Sequence, residues 1–172
     1  LAAGVRRETM AGFQTHITVS TAAGAAYGWW GATQLGLPMP VALLGGTFDP
    51  VHFAHLGLAD DARRALGVAE VRLLPTGDPP HRPAPAASAA HRLAMLRLAI
   101  ERRPGLAIDD RELHRQGKSY TALTLDELRA EDPDRPVILI LGADAFRGLP
   151  TWHRWEDLLA LAHVAVAARP GD

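Results

Sequence analysis

Short apolar runs alternate with stretches of helical spacing from Val41 to the end of the chain. The apolar runs predict strands over 41–44, 70–74, 106–108, 137–141 and 163–167. Apolar positions three and four apart predict helices over about 52–66, 88–103, 121–130 and 155–161. Four prolines in residues 76–87 predict an irregular loop. Strands that alternate with helices indicate crossover connections, so we expect an α/β fold with an open, mostly parallel sheet and helices on both faces.

Residues 1–38 differ from the rest, because they are rich in Ala, Gly and Thr and lack clear helical or alternating periodicity. Arg6 and Arg7 could begin a signal peptide, but Gln14, Thr15 and His16 interrupt the apolar stretch that follows. We therefore predict a flexible or mis-assigned leader over 1–38, with Met39 as a natural start. The predicted domain then covers residues 39–172.

Composition excludes several classes of function. The chain has 172 residues, of which 48% are hydrophobic and 22% charged, with 18 basic against 19 acidic side chains. Because proteins that bind nucleic acid by bulk charge usually carry a basic excess, we expect no nucleic-acid partner. No run reaches the roughly 18 apolar residues of a membrane span, so we expect no membrane partner. The absence of cysteine removes disulfides, zinc–thiolate sites and thiol nucleophiles.

The strongest chemical signal is the segment from Gly45 to His55, between the first predicted strand and the first predicted helix. Ligands of open parallel sheets bind beyond the carboxyl ends of the strands. Gly45 and Gly46 would let phosphate oxygens approach backbone N–H groups, and the helix N-terminus would add partial positive charge. His52 and His55 are three apart, so both imidazoles would face the same phosphate.

Less specific explanations exist for the same residues. Two glycines after a strand are common in turns, and two histidines at this spacing could bind a metal, although no third ligand is evident beside them. No serine, cysteine or lysine stands nearby as an obvious nucleophile. Direct phosphoryl-group transfer is therefore favoured over a covalent intermediate.

These residues resemble the adenylyltransferase branch of the nucleotidyltransferase superfamily, whose signature is Gly-Gly-Thr-Phe-Asp-Pro followed by His-x-Gly-His. Ala54 stands where that family usually has glycine, from which we expect a slightly tighter pocket. Within the superfamily, residues 39–172 are similar to the bacterial nicotinate-nucleotide adenylyltransferases. The supporting segments are 74–83, 110–113, 119–125, 141–144, 149–152 and 168–171. The resemblance implies the Rossmann-like nucleotidyltransferase fold.

The resemblance also implies an activity: adenylyl transfer from ATP to nicotinic acid mononucleotide, which gives deamido-NAD and pyrophosphate in NAD biosynthesis. His52 and His55 would be catalytic, and Mg²⁺ would arrive with ATP, its protein ligands unassigned. The implied ATP-binding residues are Gly45, Gly46, Thr47, Phe48, His52, His55, Gly142 and Asp144. The implied mononucleotide-binding residues are Arg82, Thr121, Trp152 and Arg169.

Some of these roles have structural alternatives. Asp144 could hold ribose hydroxyls or cap a helix, and Thr121 could bind the nicotinate carboxylate or serve as a cap. Trp152 could stack on the nicotinate ring or pack in the core. Arg82 and Arg169 suit a mononucleotide phosphate, but surface arginines are often only solvated.

Other functions also stay open. Pantetheine phosphate is the acceptor of a sister family, which usually has threonine where His52 stands, and nicotinamide mononucleotide is a second possible acceptor. Members of the family continue past the segment that matches 168–171 to a further phosphate-binding motif at a helix N-terminus. This sequence ends at Asp172, before such a motif, so a third interpretation is a non-catalytic nucleotide-binding fragment. We expect this chain to bind ATP weakly and to turn over poorly compared with a longer version. A cytoplasmic location is expected.

Overall fold

The computed structural model describes residues 3–5, 16–19, 38–80 and 83–168. Its strands are β1 (Ala3–Val5), β2 (His16–Val19), β3 (Val41–Gly46), β4 (Val71–Pro75), β5 (Leu106–Ile108), β6 (Val137–Gly142) and β7 (His163–Ala168). Its helices are α1 (Phe53–Leu66), α2 (Ala89–Ile100), α3 (Arg111–His114), α4 (Thr121–Glu131), α5 (Ala143–Arg147) and α6 (Trp155–Leu161), with a 3₁₀ turn at Leu149–Thr151.

The sheet has the order β1-β2-β7-β6-β3-β4-β5. The five strands from β3 to β7 pair in parallel with one another, whereas β2 pairs antiparallel with β7 and β1 antiparallel with β2. From β3 the chain first builds one side of the sheet through β4 and β5, and then crosses to β6 and β7 on the other. The predicted open, mostly parallel α/β sheet is confirmed.

The side chains of each parallel strand alternate between two hydrophobic layers. On β3, Ala42 and Leu44 face the layer that holds α1 and α2, whereas Val41 and Leu43 face the layer that holds α4 and α6. All four are at most 5% exposed. Because both faces of the central strand are buried, its sequence is a continuous apolar run instead of an alternating one. Helices therefore cover both faces, as predicted.

Most of the elements predicted from Val41 onward are present, with shifts of one or a few residues at their ends. The largest shift is in α2, which ends at Ile100 although the pattern predicted a helix to Arg103. Pro104 disfavours helical backbone at the residue before it, which shortens the helix. The short helices α3 and α5 were not predicted, because four or five residues are too few to show a period.

Strands β1 and β2 lie within residues 1–38, where the apolar pattern indicated no strand. β2 extends the sheet beyond β7, with His16 opposite Ala168. The division of the chain at Met39 and the status of the leader stay predictions.

Candidate active site

A cavity of about 810 Å³ opens at the carboxyl ends of β3 and β6, the two neighbouring strands from which the chain departs to opposite sides. This crevice is where open α/β sheets bind ligands. The loop after β3, the first turn of α1 and the start of α5 line one part of it, which we call the donor end. Residues around Tyr120 and Trp152 line the other part, which we call the acceptor end.

Residues 45–49, which include the last two residues of β3 and which we call the glycine loop, are shaped by Phe48. This residue has a left-handed backbone with φ 50°, and its ring is 1% exposed. A Cβ at Gly46 would lie 3.1 Å from the Phe48 ring, so glycine at this position lets the ring pack beneath the loop. Any contribution of Phe48 to phosphate binding would therefore come through its backbone, because its side chain is part of the core.

His52 and His55 stack on one another at the N-terminus of α1. Their ring centroids are 3.7 Å apart with an interplanar angle of 22°. The backbone N–H of His52 donates to Nδ1 of His55 at 3.3 Å. Because Nδ1 accepts this bond, the neutral His55 ring carries its proton on Nε2. The structure thus brings the two predicted histidines together and makes the His55 Nε2–H a hydrogen-bond donor.

Ala54 is exposed on the first turn of α1 and does not line the cavity. The structure gives no support to the expectation that this alanine tightens the pocket.

Two further side chains, which the sequence analysis did not assign to the site, hold the glycine loop in place. The Asp49 carboxylate accepts hydrogen bonds from the backbone N–H groups of Ala86 at 2.6 Å and Ala87 at 3.2 Å. The Arg92 guanidinium donates to the carbonyls of Thr47 and Thr76. Asp49 lies within the recognised motif, but neither residue carries a sequence signal for these contacts, because their partners are backbone atoms of other segments.

Gly142 ends β6 and precedes α5, whose first turn carries Asp144. A Cβ at Gly142 would lie 2.8 Å from Oδ1 of Asp144, so glycine leaves space for that carboxylate. Asp144 is exposed, and Gly142 itself occupies the N-cap position of α5. The alternative interpretation of Asp144 as an N-cap is therefore wrong.

At the acceptor end, aromatic side chains from two segments meet. The Tyr120 and His153 rings have centroids 4.4 Å apart, and both line the cavity beside Trp152. Trp152 is half-buried and also packs against the core around α4 and α6. Thr121 is the first residue of α4, whose N-cap is Tyr120 without a side-chain cap bond, so the alternative role of Thr121 as the cap is wrong.

A buried polar cluster lies behind Tyr120. Glu112 is 4% exposed and accepts a hydrogen bond from Oγ1 of Thr124 at 2.7 Å. Burial raises the pKa of the Glu112 carboxyl, although the Thr124 hydrogen bond and the charge of Arg115 oppose the shift. Oγ of Ser119 accepts from the backbone N–H groups of Gly77 and Asp78, which ties the loop after β4 to the start of α4.

Arg82 and Arg169 lie outside the described residues, so their proposed roles stay predictions. The basic side chains among the described residues that line the cavity are His52, His55 and His153. Within the described ranges, no group of three or more His, Asp or Glu side chains could hold a metal ion. Over the same ranges, no helix is both long enough and apolar enough to cross a bilayer.

Known proteins share the sequence family and the fold of this chain. Residues 43–171 match the family described as Cytidylyltransferase-like, and the chain belongs to that family. It is 53% identical over 135 residues to an Aeromonas hydrophila protein named "Probable nicotinate-nucleotide adenylyltransferase", over 78% of this chain and 63% of that protein. A Hahella chejuensis protein of the same name is 56% identical over 134 residues, over 77% and 61% of the two chains. This chain thus spans a little over three fifths of the length of these relatives.

Solved structures show the same fold at low identity. The Plasmodium falciparum nicotinic acid mononucleotide adenylyltransferase complexed with NaAD superposes with a TM-score of 0.63 at 20% identity, over 70% of this chain and 60% of that chain. The same enzyme complexed with APC gives a TM-score of 0.59 at 21% identity, over 70% and 59% of the two chains.

Proposed function

We propose that this chain carries the site for adenylyl transfer from ATP to nicotinic acid mononucleotide, with deamido-NAD and pyrophosphate as products. The observation that carries the proposal is that one cavity holds stacked histidines and the glycine loop at one end and an aromatic cluster at the other. The name shared by the bacterial relatives supports the acid mononucleotide as acceptor.

The donor end suits the triphosphate of ATP. Backbone N–H groups of the Gly45–Thr47 loop and of the first turn of α1 would bind phosphate oxygens, and the 14-residue helix adds partial positive charge. His52 and His55 would donate to the oxygens of the α-phosphate, where negative charge increases in the transition state. Asp144 beside Gly142 would accept hydrogen bonds from the ribose hydroxyls.

The reaction needs little acid–base chemistry from the protein. A phosphate oxygen of the mononucleotide attacks the α-phosphorus of ATP in line, the new P–O bond forms, and the bond to the β-phosphate oxygen breaks to release pyrophosphate. Because the attacking phosphate is already ionised near neutral pH, no side chain has to remove a proton from it. The site contributes orientation and charge stabilisation.

The acceptor end suits a mononucleotide with an aromatic base. The indole of Trp152 would stack on the nicotinate ring, and Thr121 at the N-terminus of α4 would bind its carboxylate. Arg82 and Arg169 would bind the mononucleotide phosphate. Mg²⁺ would enter with ATP, held mainly by phosphate oxygens, because magnesium at nucleotide sites takes only one or two ligands from the protein.

Pyrophosphate release in the presence of ATP and one acceptor at a time tests the proposal. We expect nicotinic acid mononucleotide to be turned over in preference to nicotinamide mononucleotide, and pantetheine phosphate to give no release above background. Equal turnover of the acid and the amide would contradict the assigned acceptor. Binding of ATP without transfer to any acceptor would support the non-catalytic alternative.

A further inference from the structure

Arg92 lies beneath the floor of the cavity with its guanidinium fully enclosed. The residue is 1% exposed, and a single nitrogen, Nη1, donates to the Thr47 carbonyl at 2.8 Å and to the Thr76 carbonyl at 2.7 Å. Arg92 belongs to α2, which does not itself line the cavity. It therefore reaches the site only through the two loops that it contacts.

The charge of Arg92 has unusual surroundings. None of the ion pairs among the described residues includes it, and its Nε has no hydrogen-bond partner there. The carboxylate whose charge acts on it is that of Asp49, which is engaged with the Ala86 and Ala87 N–H groups. Burial lowers the pKa of the guanidinium, and Asp49 opposes that shift. A buried cation held by carbonyl oxygens instead of by a carboxylate costs stability.

The two carbonyls belong to different segments that line the cavity, one after β3 and the other after β4. Thr47 follows the glycine pair of the donor end, and both Thr47 and Thr76 line the cavity. Thr76 leads into Gly77 and Asp78, whose N–H groups are held by Ser119 immediately before Tyr120. A direct hydrogen bond from the Thr76 N–H to the Gly46 carbonyl at 3.0 Å also joins the segment after β4 to the end of β3.

We propose that Arg92 is a positioning residue that fixes the donor end against the acceptor end by holding the Thr47 and Thr76 carbonyls on one nitrogen. The proposal rests on the proposed function, because in-line transfer requires the two substrates to be aligned. A displacement of about 1 Å between reacting groups can cost about 100-fold in rate.

The test compares Arg92→Met and Arg92→Lys with the control Arg97→Met in the full 172-residue chain. Arg97 lies on the same helix with its side chain 67% exposed. We expect Arg92→Met to lower kcat by about 30-fold or more while KM for either substrate changes by less than about 3-fold, because alignment is lost more than binding. Arg92→Lys, which keeps a cationic donor, should recover part of the loss, and Arg97→Met should match the unsubstituted chain.

Hydrogen exchange supplies a readout that needs no turnover. We expect the amides of Thr76, Gly77 and Asp78 to exchange faster in Arg92→Met but not in Arg97→Met. A loss of kcat no larger than that of Arg97→Met, or unchanged exchange at these three amides, would overturn the proposal. If Arg92→Met does not fold, the same two criteria apply to Arg92→Lys. If the unsubstituted chain transfers adenylyl groups to no acceptor, the proposed function fails and the exchange comparison alone decides the role of Arg92.

Discussion

The donor end and the acceptor end of the cavity are built in different ways. The donor end comes mainly from one continuous segment, in which Gly46, Phe48, His52 and His55 contact one another within ten residues. The acceptor end joins the loop after β4, the start of α4 and the residues after the 3₁₀ turn. Hydrogen bonds to Ser119 join the first two of these segments, and the Tyr120–His153 ring contact joins the third. The comparison indicates that the geometry of the histidine and glycine end is encoded locally, whereas the geometry of the aromatic end depends on packing between distant segments.

The largest effect is expected from the donor end. His52→Asn and His55→Asn should each lower kcat by about 100- to 1000-fold, because each removes a donor to charge that develops in the transition state. Steady-state kinetics with ATP and nicotinic acid mononucleotide would measure the loss. His91→Asn, at an exposed position on α2, is the control and should have no effect. Equal losses of kcat in His91→Asn and His55→Asn would contradict the proposed role of His55 in transition-state stabilisation.

A smaller and more selective effect is expected at the acceptor end. Trp152→Ala should raise KM for the mononucleotide by about 10-fold, because stacking on an aromatic base contributes about 1–3 kcal/mol. KM for ATP should stay within about 2-fold, since the two ends are built separately. Parallel titrations of both substrates would check this. A matching rise in both KM values would show that the two ends do not act separately.

Substitutions of glycine test whether Phe48 packs closely beneath Gly46. Gly46→Ala places a Cβ 3.1 Å from the buried Phe48 ring, and the resulting overpacking should cost about 1–3 kcal/mol of unfolding free energy. Gly57→Ala, within α1 and with nothing inside 4 Å of its Cβ, should instead stabilise by up to about 1 kcal/mol. Chemical denaturation of both variants would decide. Equal stability of the two would contradict the close packing of Phe48 under the loop.

The smallest effect concerns the buried polar cluster behind the acceptor end. Burial raises the pKa of Glu112 in the folded state, so the folded chain binds this proton more tightly than the unfolded chain does. Ionised Glu112 therefore destabilises the fold, and this cost appears as the pH rises above the unfolded pKa of about 4.3. Glu112→Gln keeps an oxygen that accepts the hydrogen bond from Thr124. Its unfolding free energy relative to that of the unsubstituted chain should therefore increase as the pH rises.

Thermal unfolding at several pH values between about 4 and 8 would measure the difference, because the unfolded carboxyl titrates near the lower limit. Glu101→Gln, at an exposed position after α2, is the matched control for the removal of one carboxylate. A difference for Glu112→Gln that is constant with pH would contradict the raised pKa.

Much of the fold and the donor end could be predicted because the signals are contiguous. Buried parallel strands are apolar on both faces, and the residues between β3 and α1 follow one another in the chain, so spacing alone brings His52 and His55 together. The role of Arg92 could not be predicted, because an arginine in a helix usually faces solvent. Its partners are the backbone carbonyls of Thr47 and Thr76, which leave no side-chain signal. The contact between the Tyr120 and His153 rings could not be predicted either, because it depends on how the start of α4 packs against the residues after the 3₁₀ turn.

The most direct test of the central claim follows the oxygen atoms of the acceptor phosphate. The chain is incubated with ATP and with nicotinic acid mononucleotide whose non-bridging phosphate oxygens are ¹⁸O. The ¹⁸O content of the dinucleotide and of pyrophosphate is then measured by mass spectrometry. Direct attack on the α-phosphorus of ATP predicts that all of the label stays in deamido-NAD and that pyrophosphate carries none. A dinucleotide that has lost label, labelled pyrophosphate, or AMP release without a dinucleotide would contradict adenylyl transfer at this site.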